Sequence, residues 1–312
     1  MPAKIATREA YGRALARLGE ENLDIVVLDA DLSKSTKTEI FAKQFPDRFF
    51  DMGVAEQNMM GTAAGLALSG KIPFVSSFAV FATGRAFEQT RNSIAYPALN
   101  VKIAASHAGI SVGEDGASHQ SVEDIALMRV LPHMTVIVPA DARETEQAVR
   151  AAAGIQGPVY LRLGRLSIPV LYGEDYVFRP GRANILREGP DVTIAATGLM
   201  VWEALQAADR LQAEGIKPTV LNISTIKPLD AETLAAAAAR THAVVTAEEH
   251  SVIGGLGSAV AEVLAERCPV PMRRVGLADT FGESGRPDEL LRKYGLTAEH
   301  IVSAVREVMA RR

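Results

Sequence analysis

One segment of the chain concentrates side chains able to move protons. Residues 106–121 read Ser-His-Ala-Gly-Ile-Ser-Val-Gly-Glu-Asp-Gly-Ala-Ser-His-Gln-Ser. Gly109, Gly113 and Gly116 let backbone approach a ligand closely, and His107, Glu114, Asp115 and His119 supply proton-transfer and hydrogen-bonding groups. A run this long without a regular period is usually functional or disordered. Asp51-Met52-Gly53-Val54-Ala55-Glu56-Gln57-Asn58 sits where a strand pattern gives way to a helical one. Glu56 is there either a chemical group or a favourable charge in the first turn of that helix. Asp29-Ala30-Asp31-Leu32-Ser33-Lys34-Ser35 follows a strand pattern in the same way, as a functional turn or an ordinary cap.

Other motifs have plainer readings. Gly109-Ile110-Ser111-Val112-Gly113 matches a hydrolase nucleophile elbow, but Glu114-Asp115-Gly116 continues it as a loop and not as a helix start. Gly255-Leu256-Gly257 carries two glycines of a dinucleotide fingerprint, with Val260 where the third belongs, and reads as a tightly packed helix start. No complete phosphate-binding Gly-x-x-x-x-Gly-Lys-Ser/Thr loop occurs, and the six histidines show no metal-ligand spacing.

These segments need a scaffold. Short β-branched runs at residues 25–28, 72–75, 101–105, 135–138 and 158–161 predict strands buried on both faces. Helical patterns lie between them at 7–18, 56–68, 79–94 and 141–153, with Asp141 as N-cap and Glu144 completing a capping-box pattern. Residues 172–191 lose the period among Gly173, Pro180, Gly181, Gly189 and Pro190. Strand–helix alternation then resumes at 192–196, 199–212 and 218–221, through an alanine-rich helix, to strands at 243–246 and near 272–275 and a helix at about 258–266, before the C-terminal helices. The expected fold is α/β, in two consecutive domains, each a mainly parallel sheet with helices on both faces. Residues 1–172 form the first domain, 173–190 a linker and 191–312 the second.

Composition narrows the function. The 312 residues are 48% apolar and 22% charged, an ordinary globular mix. A net charge of −4 argues against a nucleic-acid face, and the single Cys268 excludes a disulfide framework. The longest uncharged stretch, residues 57–70, is too short and too polar to span a bilayer, and the N-terminus lacks an apolar signal region. These features imply a cytoplasmic protein with neither a membrane nor a nucleic-acid partner.

Taken in order, Ala6-Thr7-Arg8, Asp29 to Ser33, Gly53-Val54-Ala55-Glu56-Gln57-Asn58-Met59, Ser77-Phe78-Ala79-Val80-Phe81, the segment from His107 to His119 and Leu163-Gly164-Arg165 resemble the second half of transketolase, a thiamine diphosphate enzyme. Ser224-Thr225-Ile226-Lys227-Pro228-Leu229-Asp230 and Gly254-Gly255-Leu256-Gly257 extend the resemblance over nearly the whole chain. It implies a pyrimidine-binding domain followed by a transketolase C-terminal domain. Glu56 would then bond the ring nitrogen of the cofactor's aminopyrimidine, as a carboxyl buried with no cation beside it, and promote the imino tautomer. Phe81, with Phe78 beside it, would stack on the ring, and Asp31 would be a further cofactor contact. Asp115 and His119 would meet the sugar hydroxyls, with His119 also catalytic, while Arg8, Ser35, His107 and Arg165 would hold the terminal phosphate.

Two departures from that family matter. The chain has no Gly-Asp-Gly, the motif that in single-chain members binds magnesium and diphosphate from a preceding domain, and Met1 stands just ahead of the resembling region. The resemblance therefore implies a split enzyme, with Mg2+ ligands on a partner chain that supplies the N-terminal half, in a dimer of heterodimers. Gly84 stands near a position where single-chain members carry an aromatic, which removes one stacking group. The implied reaction moves a two-carbon ketol unit from a ketose phosphate to an aldose phosphate, as in the pentose phosphate pathway. A split deoxyxylulose-phosphate synthase, a 2-oxoacid dehydrogenase β subunit and a non-catalytic regulatory paralogue are the alternatives. The length of the loop after His107 favours transketolase.

Overall fold

A computed structural model describes residues 3–311. All five strands expected in the first half are present and share one sheet. Its order is Thr225–Lys227, Thr135–Ile137, Val159–Arg162, Lys102–Ala105, Ile72–Ser76, Ile25–Asp29, Phe49–Asp51. Every neighbouring pair is parallel except the first, where Thr225–Lys227 runs antiparallel. Ile25, Val27, Phe74, Ile103, Val136 and Leu161 are all buried, as the near-continuous apolar runs require. Helix Thr7–Glu21 covers one face together with Ala142–Gly154, through Tyr11, Leu15 and Leu18 against Ala148, Val149 and Ala152. The Asp141 carboxylate accepts from the Glu144 N–H at 2.7 Å, as expected of the cap, while the Glu144 carboxylate reaches back to the Ala140 N–H.

The strand order reverses beside Ile25–Asp29. The chain leaves that strand toward Phe49–Asp51 on one side, then returns to Ile72–Ser76 on the other. In an open α/β sheet such a switch point leaves a crevice outside the carboxyl ends of the strands. Asp31, Ser77-Phe78, the loop from Ser106 and Gly164-Arg165 all leave the sheet at that end.

The second sheet has the order Met272–Leu277, Val244–Ser251, Val192–Ala196, Pro218–Asn222, Asn184–Arg187, parallel except for the last strand. That strand lies inside the stretch expected to be a linker. It is a half-exposed edge element between turn residues, so neither a buried run nor an alternating pattern announces it. Thr225–Lys227 likewise crosses over to extend the first sheet, so the two units share a strand boundary instead of meeting only at a hinge. They are also joined by a buried network. Arg162 pairs with Asp124 (Nε to Oδ2, 2.7 Å), Tyr160 donates to the same carboxylate at 2.6 Å, and Arg162 Nη2 reaches the Glu249 carbonyl at 2.9 Å.

Residues 79–94 form something other than the regular helix expected. Phe81–Arg85 and Thr90–Ala95 are π-helical, separated by the α-turn Phe87–Gln89. π-turns of this kind concentrate at functional sites, and the apolar period alone does not distinguish them from α-turns.

Candidate functional site

The turn after Ile25–Asp29 is organised by one buried carboxylate. Asp29 accepts from the Leu32 N–H at 2.7 Å and from the Thr36 and Thr38 hydroxyls at 2.7 and 2.8 Å. Burial raises its carboxyl above the usual range, and these donors oppose the shift. They fix the helical turn Ser33–Thr36, and there the Ser35 carbonyl accepts from Arg8 Nη1 at 2.7 Å. The group of Ser35 that meets Arg8 is thus the backbone carbonyl and not the hydroxyl. Asp31 lies exposed beyond the strand at φ +59°, with its N–H directed at Asp51 Oδ1, 3.2 Å away. No hydrogen bond or ion pair among the described residues joins it to the other expected site residues.

Glu56 opens helix Glu56–Leu68 and is 1% exposed. The expectation that no cation lies beside it is wrong, because Arg85 Nη1 stands 2.9 Å from Glu56 Oε2. Arg85 belongs to the first π-turn and lies over the Phe81 ring four residues before it, with its guanidinium carbon 4.5 Å from the ring centroid. One guanidinium therefore covers both the carboxylate and the aromatic face that the sequence marks for a ligand. The spacing of Phe81 and Arg85 was the available signal, but which way the wide turn aims Arg85 is not readable from it.

From Phe81 the contacts continue through aromatic edges. His119 meets the Phe81 ring edge-on at 5.4 Å between centroids, and Phe78 lies nearly parallel to Phe81 at 6.1 Å. The His107 ring stacks on Phe78 at 3.8 Å. His107 adopts φ +57°, unusual for a residue with a side chain and characteristic of functional sites. Its Nδ1 lies 2.9 Å from Ser106 Oγ and its Nε2 3.5 Å from Arg8 Nη1. Burial, with the Arg8, Arg165 and His119 charges adding to it, pushes His107 down to about 3. Near pH 7 it is a neutral hydrogen-bonding group. Burial and the Arg165 charge also lower Arg8. Arg165 contacts the Val112 carbonyl and pairs with Glu114 at 3.4 Å and, more loosely, with Asp115 at 3.9 Å.

Glu56, Phe81, Phe78, His119, His107, Arg8 and Ser35 thus form one chain of contacts at the carboxyl ends of the strands, linked to Glu56 through Arg85, while Arg165, paired with Asp115, acts on its Arg8 and His107 end by charge. The profile of the transketolase pyrimidine-binding domain matches residues 3–170, and that of the transketolase C-terminal domain matches 181–301. The chain belongs to the transketolase family. It is 52% identical over 305 residues to a putative transketolase C-terminal section of Methanocaldococcus jannaschii, an alignment covering 97% of this chain and 96% of that protein. It is 49% identical to the 6-deoxy-6-sulfo-D-fructose transketolase subunit SqwH of Clostridium sp. (strain MSTE9), covering 98% and 95%. Among solved structures, a split gene transketolase described as an inactive beta4 tetramer superposes with TM-score 0.91 at 60% identity, covering 99% of both chains. Transketolase from Leishmania mexicana superposes with TM-score 0.84 at 29% identity, covering 100% of this chain but 46% of its own.

Transketolases depend on thiamine diphosphate, and the residues here fit its aminopyrimidine. The buried Glu56 carboxylate and the Phe81 ring, bridged by the partly exposed Arg85 guanidinium, would offer an acceptor to the edge of a flat heterocycle and a surface to its face once that guanidinium is displaced. Among the described residues no cluster of three or more His, Cys, Asp or Glu could hold a metal ion. The two rejected motifs also have structural explanations. Ser111 is buried in the short 3-10 turn Ile110–Val112 and is not raised on a strand-to-helix elbow. At Gly255-Leu256-Gly257 the buried Glu248 carboxylate accepts from the Leu256 and Gly257 N–H groups at 2.7 Å each, where a nucleotide phosphate would bind. Sequence reasoning passed over Arg85, Gln120 and Glu249. The signal for Glu249 was a charged run, Glu248-Glu249-His250, inside a strand otherwise buried on both faces.

Proposed function

We propose that this chain is the pyrimidine-binding subunit of a split transketolase that transfers a two-carbon ketol unit from a ketose phosphate to an aldose phosphate. The chain of contacts running from Glu56 to Arg8, with the Arg165 charge acting on its far end, carries this reading, because it pairs a cofactor end with an anion end. When bound, thiamine diphosphate supplies the stabilised carbanion that the transfer requires. Glu56 exchanges a proton with the pyrimidine nitrogen, and Phe81 flanks the ring. Asp31 and Phe78 border the same cofactor. Asp115 and His119 orient the sugar hydroxyls, and His119 passes a proton. Arg8 and Arg165 hold the terminal phosphate with paired, charge-assisted donors, beside the Ser35 turn. Neutral His107 contributes a hydrogen bond there and not a charge.

The diphosphate and Mg2+ belong on a partner carrying the N-terminal half, in a dimer of heterodimers located in the cytoplasm. One observation supports this: relatives of nearly the same length are described as a C-terminal section and a subunit. No helix among the described residues is long and apolar enough to cross a membrane. The decisive assay mixes this chain with its candidate partner, thiamine diphosphate and Mg2+, then supplies xylulose 5-phosphate and ribose 5-phosphate. Sedoheptulose 7-phosphate and glyceraldehyde 3-phosphate are the expected products. Turnover only with pyruvate as donor would overturn the reading in favour of a deoxyxylulose-phosphate synthase. Because two arginines also suit a sulfonate, 6-deoxy-6-sulfofructose belongs in the same donor panel.

A further inference from the structure

We propose that the second domain is a splint for the 106–121 loop, with Glu249 as its central positioning residue. Glu249 lies near the end of strand Val244–Ser251 in the second sheet, yet its Oε1 accepts from the Ser111 N–H, 2.6 Å away in the middle of the loop. The fit is close: Gly109 sits at φ +81°, and a Cβ built there would lie 2.2 Å from the Glu249 carboxyl. Gln120, buried near the far end of the loop, donates to the Gly113 carbonyl at 3.1 Å and to the Glu283 carbonyl of the second domain at 2.9 Å. Ser284 Oγ donates to the Glu114 carbonyl at 2.5 Å, and the Ser251 N–H to the Val122 carbonyl at 2.7 Å.

The second domain thus grips the loop at its centre, its outer arc and its exit, between the two histidines and beside Asp115. Packing alone does not account for Glu249. Burial raises its carboxyl to about 7 against the pull of Arg162, a cost that an apolar residue of similar size would not carry. What the carboxyl provides is an acceptor for a loop N–H that is shut off from water. A loop held in one geometry needs no ordering when the sugar arrives, so the splint acts on substrate binding. This part of the inference rests on the proposed function; the grip on the loop does not.

Two measurements separate them. Hydrogen exchange on the full chain should show amides 109–116 exchanging at least tenfold faster in Glu249→Ala, with strands Ile25–Asp29 and Ile72–Ser76 unchanged. Glu249→Gln, which keeps an acceptor oxygen, should restore protection to within threefold. Ser284→Ala, a change at an exposed position, should loosen residues 113–116 alone and covers the case in which Glu249→Ala does not fold. In the assembled enzyme, Glu249→Ala should raise KM for the phosphorylated sugar at least fivefold with kcat within twofold, and Glu249→Gln should reverse this. Unchanged loop exchange in both Glu249→Ala and Ser284→Ala, or a uniform rise across the chain, would overturn the splint. Altered exchange with no sugar-phosphate turnover by the wild-type assembly would leave the splint standing and remove the function assigned to the loop.

Discussion

The pairing of Glu56 with Arg85 can be tested without any partner or cofactor. The two charged atoms are 2.9 Å apart, where unit charges interact by about 6 kcal/mol at an effective dielectric of 20 and about 1.4 kcal/mol in bulk water. Glu56 is 1% exposed but Arg85 is 46% exposed, so solvent screening pulls the net value toward the lower figure. We expect a coupling of about 1–2 kcal/mol, between exposed pairs at up to about 1 and buried ones at about 3–5. The perturbations are Arg85→Met, which keeps the aliphatic stem over Phe81, and Glu56→Gln, which keeps the shape of the side chain. Denaturant unfolding of the wild type, both single variants and the double variant closes the cycle. Arg85→Ala should cost about 0.5–1 kcal/mol more than Arg85→Met, because it also removes the side-chain stem that Met keeps beside Phe81. A coupling below about 0.3 kcal/mol, or an Arg85→Met chain as stable as the wild type, would refute the view that this guanidinium guards the buried carboxylate.

Asp124→Ala should cost about 3–5 kcal/mol in unfolding free energy, since it leaves the nearly buried Arg162 uncompensated and the Tyr160 hydroxyl without its acceptor; a loss below about 1 kcal/mol would contradict the network. His107 is held down at about 3 in the folded chain against 6.5 unfolded, so as pH falls below 6.5 the unfolded chain takes up a proton that the folded chain refuses. Stability should therefore drop by about 1 kcal/mol from this group between pH 6 and 5, and His107→Asn should flatten that part of the profile in pH-dependent unfolding. Arg165→Ala, assayed in the assembled enzyme, should raise KM for phosphorylated sugars with little change in kcat, the mark of lost uniform binding; an equal effect on unphosphorylated sugars would rule out its anion role.

Much of this site was readable because its residues sit where elements begin or end. His107, Asp115 and His119 share a glycine-punctuated run after a strand, which local pattern picks out, whereas Phe78 and Phe81, after the next strand of the sheet, entered only through the resemblance to transketolase. Glu56 was legible as a helix-opening acid, but its true electrostatic setting was not, because Arg85 reaches it from a different helical segment through a π-turn that shifts side-chain direction relative to a 3.6-residue period. That the Ser35 carbonyl accepts from Arg8 was not legible either, since it is the Asp29 hydrogen bonds that orient the backbone of that turn.

Strand and helix placement, the buried parallel sheet and the order of the chemistry-bearing segments follow from hydrophobic period, caps and glycines, all of which act over a few residues. The edge strand Asn184–Arg187, the crossover of Thr225–Lys227 into the first sheet, and the Glu249 and Gln120 contacts to the loop depend on chain segments between 7 and more than 160 residues apart. Such partners are chosen by packing and by the need of each buried N–H and carboxylate for a counterpart, and no local stretch of sequence records which one it will find.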